Sequence, residues 1–293
     1  MRVLVTGRQG QVVRSLMVRA PAGVQIIALG RPELDLAASA SIVPAILTAR
    51  PDVVISAAAY TAVDRAESDA GAAHAINATA AGEVARAAAM AGAALIHLST
   101  DYVFDGRQAA PYVESDPTCP LGVYGHSKLA GEQAVHTAHP AALILRTAWV
   151  YSPFGHNFLR TMLRLAETRG EIGVVADQIG SPTSALDLAD ALLALATGPF
   201  PAQGGLYHIA GTGHASWADL AEVMLTASAR AGGPTAHVRR IATRDYPTPA
   251  PRPRQSRLDS AALAARFGLR LPDWRVSAAR DAYHLIQQRE VCA

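Results

Sequence analysis

The sequence predicts an α/β fold: a doubly wound parallel sheet with a smaller C-terminal region. Short apolar runs bounded by polar loops alternate with amphipathic stretches of helical length, beginning with Arg2–Thr6 and Gly10–Arg19. Continuous apolar runs of this kind are typical of parallel strands that are buried on both faces. Because crossovers between parallel strands are right-handed, the alternation places helices on both sides of one sheet.

The elements of residues 1–150 follow in a regular order. We predict strands at Arg2–Thr6, Val24–Leu29, Val53–Ser56 and Ala94–Leu98. Helices are predicted at Gly10–Arg19, near Ser41–Ala49 and at Gly71–Ala91. Each of the first three strands is thus followed by a helix, as expected of successive βαβ units.

The alternation is looser in residues 151–293. Helices are predicted at Asn157–Arg169, Ser184–Ala196, Trp217–Ala229 and near Val276–Arg289. Extended segments are predicted at Glu171–Ala176 and Gly205–Ile209, with a proline-rich stretch at Tyr246–Pro253. We place the domain boundary near residue 150 and expect some elements of 151–293 to return to the first sheet.

Composition excludes several classes of protein. Half of the 293 residues are hydrophobic, which excludes global disorder. No charge-free apolar window of about 18 residues occurs, so we expect no membrane partner. The 26 basic and 24 acidic residues give a net charge of +2, and we expect no nucleic-acid partner. Two cysteines, Cys119 and Cys292, fit a reducing compartment, so we expect a cytoplasmic protein.

A glycine-containing turn joins the first strand to the first helix. Gly7 and Gly10 let the backbone turn tightly and let a pyrophosphate approach the N–H groups of Gln11 and Val12. A third glycine, common in such turns, is replaced here by Val13. An ordinary strand–helix turn is the alternative. The position of the turn makes 1–150 a Rossmann-like dinucleotide-binding domain and leaves 151–293 mainly for the substrate.

The end of the second strand bears on the choice of cofactor. An acidic residue there would hold a ribose 2′-hydroxyl, whereas the sequence has Arg31, which suits a 2′-phosphate. We therefore favour NADPH and leave NADH open, and assign Asp35 and Leu36 to the same cofactor site. An arginine on a solvated loop is the alternative for Arg31.

Tyr124 and Lys128 are four residues apart at the start of a predicted helix, and hence share a face. Thr100 comes directly after the fourth strand, at the edge where such sheets bind ligands. A free tyrosine has a pKa of about 10, and an adjacent ammonium lowers it toward the range useful for proton transfer. A tyrosine and a lysine at this spacing also occur by chance. Together with the phosphate turn and Thr100, they predict a catalytic triad.

These motifs resemble those of the extended short-chain dehydrogenase/reductases and, within them, the dTDP-4-dehydrorhamnose reductases. The matching stretches extend over nearly the whole chain: Val5–Gln11, Ala57–Asp64, Ser99–Gly106, Tyr124–Lys128, Arg146–Tyr151, Asp177–Thr183, and Arg252 and Pro253 with Ser256, Leu258 and Asp259. Ser99–Gly106 and Asp177–Thr183 are the most specific to this reductase. The resemblance implies NADPH-dependent reduction of the C4 ketone of dTDP-4-dehydro-β-L-rhamnose to dTDP-β-L-rhamnose.

The resemblance also implies roles for individual residues. Tyr124 would protonate the sugar oxygen, Lys128 would hold the nicotinamide ribose and tune the tyrosine, and Thr100 would complete the triad. The residues that would line the cofactor after the third strand are Ala57, Ala58, Ala59 and Tyr60. Those that would contact the dTDP-sugar are Asp101, Tyr102, Trp149, Asn157 and Arg252.

Several of these residues have simpler explanations. Trp149 follows an apolar run and could belong to the core, Asn157 could cap a helix, and Arg252 could lie on a solvated loop. Another nucleotide-sugar reductase or epimerase on the same scaffold is an alternative function. A non-catalytic regulatory subunit is a second alternative.

A metal site is not predicted. His136 and His139 are three residues apart, but no further zinc-ligand motif accompanies them. Some members of the resembled family bridge a dimer through Mg²⁺ bound by glutamates. The corresponding stretch here, Ser184–Asp187, contains no glutamate, so Mg²⁺ is left open, as is a homodimer.

Overall fold

The computed structural model describes residues 1–198 and 204–291. Its centre is a parallel sheet of six strands, here numbered in chain order: β1 (Arg2–Thr6), β2 (Gln25–Leu29), β3 (Val53–Ser56), β4 (Ala94–Thr100), β5 (Leu143–Thr147) and β10 (Gly205–His208). The strand order is β2-β1-β3-β4-β5-β10. The chain reverses direction across the sheet between β1 and β3, which opens a crevice at their carboxyl ends. The predicted fold class is confirmed.

Helices cover both faces of the sheet. The helices of the first part are α1 (Gln11–Arg19), α2 (Ile42–Ala49), α3 (Val63–Ala66), α4 (Ala70–His74), α5 (Ala80–Met90) and α6 (Val123–Ala138). A core on one face joins α2 and α5 to alternate strand residues such as Leu4, Val54 and Leu95. On the other face, α1 and α8 (Ala185–Thr197) pack against Val3, Ile55 and their neighbours. The sheet is therefore buried on both sides.

Two of the differences in extent between predicted and observed elements lie beside the crevice. The helix predicted at Gly71–Ala91 is α4 and α5 joined by a π-helical turn at Ala75–Thr79. The strand predicted to end at Leu98 continues to Thr100, because β5 pairs with it as far as that residue. The longer β4 carries Thr100 to the edge of the crevice.

The C-terminal region has a core of its own. Short strand pairs join β6 (Val150–Tyr151) to β9 (Thr183–Ser184), β7 (Glu171–Val175) to β12 (His237–Ile241), and β8 (Ile179–Gly180) to β11 (Ala215–Ser216). The helices are α7 (Phe158–Ala166), α9 (Trp217–Arg230), α10 (Ala261–Phe267) and α11 (Trp274–Val291). Buried side chains of α7, α9 and α11 form this core around Trp274.

Some elements of 151–293 lie on the central sheet. Strand β10 pairs in parallel with β5, and α8 packs against α1. Within the described residues, no helix is both long and apolar enough to cross a membrane. Cys119 is an exposed free thiol, and Cys292 lies outside the described residues.

Candidate active site

The turn between β1 and α1 is shaped to receive an anion. Gly7 has a φ of +99°, which favours glycine, and its N–H donates to the Leu29 carbonyl at 2.6 Å. Gly10 precedes α1 in extended backbone, and the Arg14 N–H donates back to its carbonyl at 3.0 Å. The N–H groups of residues 11–13 have no acceptor within the helix, which suits them to phosphate oxygens. Four predicted cofactor residues lie here: Gly7, Gly10, Gln11 and Val12.

Gln11 and Val13 fix this turn against its surroundings. The Gln11 amide donates to the Val150 carbonyl at 3.0 Å, and the Ser152 hydroxyl donates to Gln11 Oε1 at 3.2 Å. Val13 is 2% exposed and packs in the core between α1 and the sheet. The residue that replaces the third glycine is therefore a packing residue.

The loop after β3 is held from two sides. The Thr6 hydroxyl oxygen accepts from the N–H groups of Ala57 and Ala58 at 3.0 and 2.9 Å. The Tyr60 N–H donates to Asn77 Oδ1 at 2.8 Å, and Asn77 Nδ2 donates to the Tyr60 carbonyl at 3.1 Å. The structure thus brings Ala57 to Tyr60, including Ala59, to the crevice beside the phosphate turn.

Asn77 connects this loop to α6. It lies in the π-helical turn, is 1% exposed, and donates through Nδ2 to Ser127 Oγ at 2.9 Å. The Ser127 hydroxyl in turn donates to the Tyr124 carbonyl at 2.8 Å. A π-helical turn often marks a functional position, because it reorients one side chain out of the regular helical repeat.

The residues predicted to read the cofactor ribose lie after β2. Arg31 is exposed and has no ion pair or hydrogen bond to the described residues. The Asp35 carboxylate accepts from the Ala37 N–H at 2.9 Å, and Leu36 packs against the α2–α5 core. Arg8, which sequence reasoning did not assign, lies beside Gly30 and pairs with Glu33. Two guanidinium groups therefore border this side of the phosphate turn.

The first two turns of α6 carry Tyr124 and Lys128 into the crevice. The Glu67 carboxylate accepts from the Val123 N–H at 2.9 Å and so occupies the positive end of the helix. A Cβ at Gly125 would lie 2.2 Å from the Tyr102 carbonyl oxygen. Only a glycine at this position allows α6 to approach the turn after β4 so closely.

Thr100 stands between Tyr124 and a buried carboxyl group. The Thr100 hydroxyl donates to Asp101 Oδ1 at 3.1 Å and accepts from the Tyr102 N–H at 3.2 Å. Thr100 also adjoins Tyr124 and lowers the pKa of its phenol, against the larger effect of burial. The three residues of the predicted triad are thus brought together at the carboxyl end of β4.

The expected effect of Lys128 on the tyrosine is wrong. Burial raises the pKa of Tyr124 to about 12, and the opposing influence is Thr100. The Lys128 ammonium instead donates to the Leu98 carbonyl at 2.7 Å, and burial lowers its pKa to about 8 against the pull of Glu132. Desolvation therefore outweighs the attraction of the neighbouring charge. Tyr124 holds its proton throughout the neutral range, as a general acid must.

Asp101 and Tyr102 form the wall next to the triad. Asp101 is 1% exposed, and burial raises its pKa to about 6, although the neighbouring Ser256 and Thr100 hydroxyls oppose the shift. The Tyr102 ring meets the Tyr124 ring edge to face, with centroids 5.5 Å apart. A half-buried phenol ring thus lies against the ring of Tyr124.

Trp149 is held in an unusual conformation. Its φ of +47° is in the left-handed region, which is uncommon for a bulky residue and marks candidate functional sites. The indole stacks on Trp217 with ring centroids 3.6 Å apart and covers Gly180, where a Cβ would lie 2.4 Å from it. Trp149 is half-buried and packs against the hydrophobic core of the C-terminal region.

Asn157 acts as a helix cap, whereas Arg252 is held by an ion pair. Asn157 caps α7 by accepting from the Arg160 N–H at 3.3 Å, and its amide donates to the Ser152 and Phe154 carbonyls. Arg252 is not on a freely solvated loop: it pairs with Asp64 at 2.8 Å and lies 6.0 Å from the centre of the Tyr102 ring.

Comparison with known proteins decides the family. A family model described as the RmlD substrate binding domain matches residues 1–285. The dTDP-4-dehydrorhamnose reductase of Sinorhizobium fredii is 46% identical over 98% of both chains, and that of Escherichia coli K12 is 42% identical over 96% of both. The chain belongs to the dTDP-4-dehydrorhamnose reductase family. The resemblance expected from the sequence motifs is thereby confirmed.

Solved structures of dTDP-4-dehydrorhamnose reductases share the fold. The Clostridium acetobutylicum protein superposes with a TM-score of 0.90 at 35% identity, covering 98% of this chain and 100% of that one. The Bacillus anthracis protein, solved in complex with NADP, superposes with a TM-score of 0.89 at 36% identity, covering 96% and 98%.

This member of the reductase family offers no cluster of side chains for Mg²⁺ in residues 1–198 and 204–291, where no three His, Cys, Asp or Glu residues converge. Asp187, at the start of α8, is already engaged: Arg280 donates to its Oδ1 at 2.8 Å, and the Ser277 hydroxyl donates to its Oδ2. A guanidinium group thus neutralises the carboxylate.

Sequence reasoning missed four residues that hold the reductase site in place: Asn77, Glu67, Asp64 and Arg8. Asn77 offered one signal, an amide in an alanine-rich helical stretch. The partners of Glu67 and Asp64 are 56 and 188 residues away in the chain. No local pattern could reveal contacts of that range.

Proposed function

We propose that the chain catalyses the NADPH-dependent reduction of the C4 ketone of dTDP-4-dehydro-β-L-rhamnose to dTDP-β-L-rhamnose. The observation that carries this proposal is the convergence of Thr100, Tyr124 and Lys128 at the carboxyl end of β4, beside the phosphate turn. In that one crevice the chain holds an anion-binding helix end and a protonated phenol. Membership in the reductase family supports the choice of substrate.

The cofactor would lie across the crevice between β1 and β3. The N–H groups at the start of α1 would bind its diphosphate, and the loop of Ala57–Tyr60 would line it. Lys128 would hold the nicotinamide ribose, and Arg31 would face the adenosine 2′-phosphate. The bound nicotinamide supplies the hydride that the sugar C4 accepts.

Tyr124 would supply the proton. As C4 becomes tetrahedral, negative charge develops on its oxygen, and the Tyr124 hydroxyl donates its proton there to give the alcohol. Thr100 would align the same oxygen through its hydroxyl after releasing Asp101. The balance is a hydride to carbon and a proton to oxygen, with the tyrosinate left to recover its proton from water.

The dTDP-sugar would be held by residues of both halves of the chain. Trp149 and Tyr102 present half-buried rings, and Asp101 presents a buried carboxyl group beside the triad. Arg252 would bind the diphosphate, since a planar guanidinium pairs with phosphate oxygens. Asn157 would reach the nucleotide sugar from the start of α7.

The test is turnover by the purified protein on a panel of dTDP-4-keto sugars, with NADPH and with NADH. We expect oxidation of NADPH by dTDP-4-dehydro-L-rhamnose, with dTDP-L-rhamnose as the product. Turnover of another 4-keto sugar alone would identify a different nucleotide-sugar reductase. Tightly bound NAD⁺ that survives purification would favour an epimerase, and no turnover at all would favour a binding protein.

Arg31→Ala tests the reading of the 2′-phosphate. We expect NADPH binding to weaken by about 1.5–3 kcal/mol, the contribution of a hydrogen bond to a charged group, with NADH binding nearly unchanged. Fluorescence titration gives both dissociation constants, and Arg8→Ala is the matched variant for the second guanidinium of this border. Equal losses for the two cofactors would show that Arg31 does not distinguish them.

The cellular compartment and the oligomeric state are also proposals. We propose the cytoplasm, because two cysteines in 293 residues fit a reducing compartment. A homodimer stays a prediction, and sedimentation velocity with and without Mg²⁺ would test it.

A further inference from the structure

A row of buried polar groups lies directly behind Lys128. His97 and Ser99 of β4 both point toward α6, where they meet Lys128 and Glu132, four residues apart on the helix. His97 Nε2 lies 3.5 Å from Lys128 Nζ, and His97 Nδ1 lies 3.1 Å from the Ser56 hydroxyl at the end of β3. His97 is 2%, Ser56 4% and Lys128 3% exposed. Water therefore has little access to any of the three groups.

The surroundings select one form of His97. Burial and the Lys128 charge keep the pKa of His97 well below its usual value, so the imidazole is neutral. The ammonium has donors only, and thus the ring nitrogen that faces it must present its lone pair. The proton consequently lies on Nδ1 and is donated to Ser56 Oγ. Ser56 fixes the tautomer, and the tautomer presents an acceptor to Lys128.

The other charged groups near Lys128 have their own partners. Glu132 accepts two hydrogen bonds from Arg146 of β5, at 2.9 and 2.7 Å, and a third from Ser99. Tyr124, on the same helix, adjoins Thr100, which lowers the pKa of its phenol. Among the described residues, the polar atoms within hydrogen-bonding distance of the ammonium are the Leu98 carbonyl oxygen and His97 Nε2.

We propose that His97 is a positioning residue for Lys128, which it holds by accepting one ammonium hydrogen at Nε2. An ammonium has three N–H groups. With one directed at Leu98 and one at His97, the third is directed into the crevice, where the cofactor ribose would lie. This inference rests on the proposed function, because it assigns the support of the residue that would bind the ribose.

The test compares two substitutions of His97, each of which replaces one of the two ring nitrogens. In His97→Asn, the amide replaces Nδ1 and can still bond Ser56, but nothing reaches Lys128. In His97→Gln, the longer side chain returns an oxygen acceptor near the position of Nε2. Ser56→Ala is a third variant that keeps the histidine and removes the group that fixes its tautomer.

We expect His97→Asn to weaken NADPH binding by about threefold to tenfold, since a hydrogen bond to a charged group is lost. Removal of an acceptor disfavours the ammonium, so the pKa of Lys128 falls further below its present value of about 8. The basic limb of kcat/KM against pH should move to lower pH by about half a unit to one unit. In His97→Gln, NADPH affinity and the position of the basic limb should return most of the way to their wild-type values. In Ser56→Ala, the basic limb should move to lower pH by a smaller amount than in His97→Asn.

His208→Asn is the matched control. His208 is also a fully buried strand histidine, with Nδ1 3.0 Å from the Tyr112 carbonyl, and it has no contact with the triad. We expect it to lower Tm comparably with His97→Asn without moving the pH profile. A purely structural His97 would behave in the same way.

Two results would overturn the proposal: a wild-type pH profile and NADPH affinity in His97→Asn, or an equal defect in His97→Asn and His97→Gln. If His97→Asn does not fold, His97→Gln and Ser56→Ala decide, because wild-type behaviour of Ser56→Ala contradicts the tautomer argument. NADPH affinity against pH is measured by fluorescence without any turnover. Absence of turnover would therefore contradict the proposed function and leave the test of His97 intact.

Discussion

Tyr124→Phe should lower kcat by about 10²–10⁴-fold, the usual contribution of a positioned general acid. The substitution keeps the ring that packs edge to face against Tyr102 and removes only the hydroxyl. Because burial holds the pKa of Tyr124 near 12, the wild-type hydroxyl keeps its proton at every pH at which the enzyme would be assayed. The fall in kcat of the variant should therefore be seen at every assay pH. NADPH affinity and Tm should remain close to those of the wild type.

Tyr112→Phe is the control for this substitution. Tyr112 is a buried tyrosine outside the triad; it stacks on Phe104, and its hydroxyl donates to Asp105 at 2.8 Å. Its loss should cost about 1 kcal/mol of stability and little activity. Steady-state kinetics of both variants with dTDP-4-dehydro-L-rhamnose would decide, and turnover near the wild-type rate in Tyr124→Phe would exclude this residue as the acid.

Glu132→Gln should reduce the free energy of unfolding by about 3–5 kcal/mol, the cost of breaking a buried ion pair. The Glu132 and Arg146 side chains are 6% and 5% exposed, and Arg146 Nη1 already has no hydrogen-bond partner in the described structure. The amide keeps the volume of the carboxylate but leaves the guanidinium charge buried and uncompensated. Urea unfolding of the two proteins measures the difference.

The same substitution at an exposed pair provides the comparison. Glu171 pairs with Arg239 at 2.8 Å, but these side chains are 53% and 60% exposed. Glu171→Gln should therefore change stability by less than about 1 kcal/mol, because water screens the pair. Similar losses in the two variants would show that burial does not determine the strength of the Glu132–Arg146 interaction.

The features that the sequence predicted best depend on local spacing. Gly7 and Gly10 lie in one turn, and Tyr124 and Lys128 lie on one helical face, so their proximity follows from the periodicity of the backbone. The parallel sheet likewise follows from the alternation of apolar runs and helices. Elements of this kind can be predicted from short windows of the chain.

The remaining features depend on contacts between distant segments. Asn77 bonds to Tyr60 and Ser127 across two elements, and the left-handed φ of Trp149 accompanies its stacking on Trp217. The pKa of Tyr124 was misjudged for a related reason. The neighbouring lysine is visible in the sequence, whereas the burial that dominates the shift exists only once the chain has folded.

The position of β10 has a consequence for how the chain acquires its structure during synthesis. This strand closes the sheet next to β5 but follows α7 and α8 in the chain. Until residue 208 has emerged from the ribosome, β5 presents an open edge of apolar residues such as Leu143 and Leu145. A fragment cut near residue 150 would keep that edge permanently and would be prone to aggregate. We therefore expect residues 1–150 not to express as an independent module, because the region that follows completes their sheet.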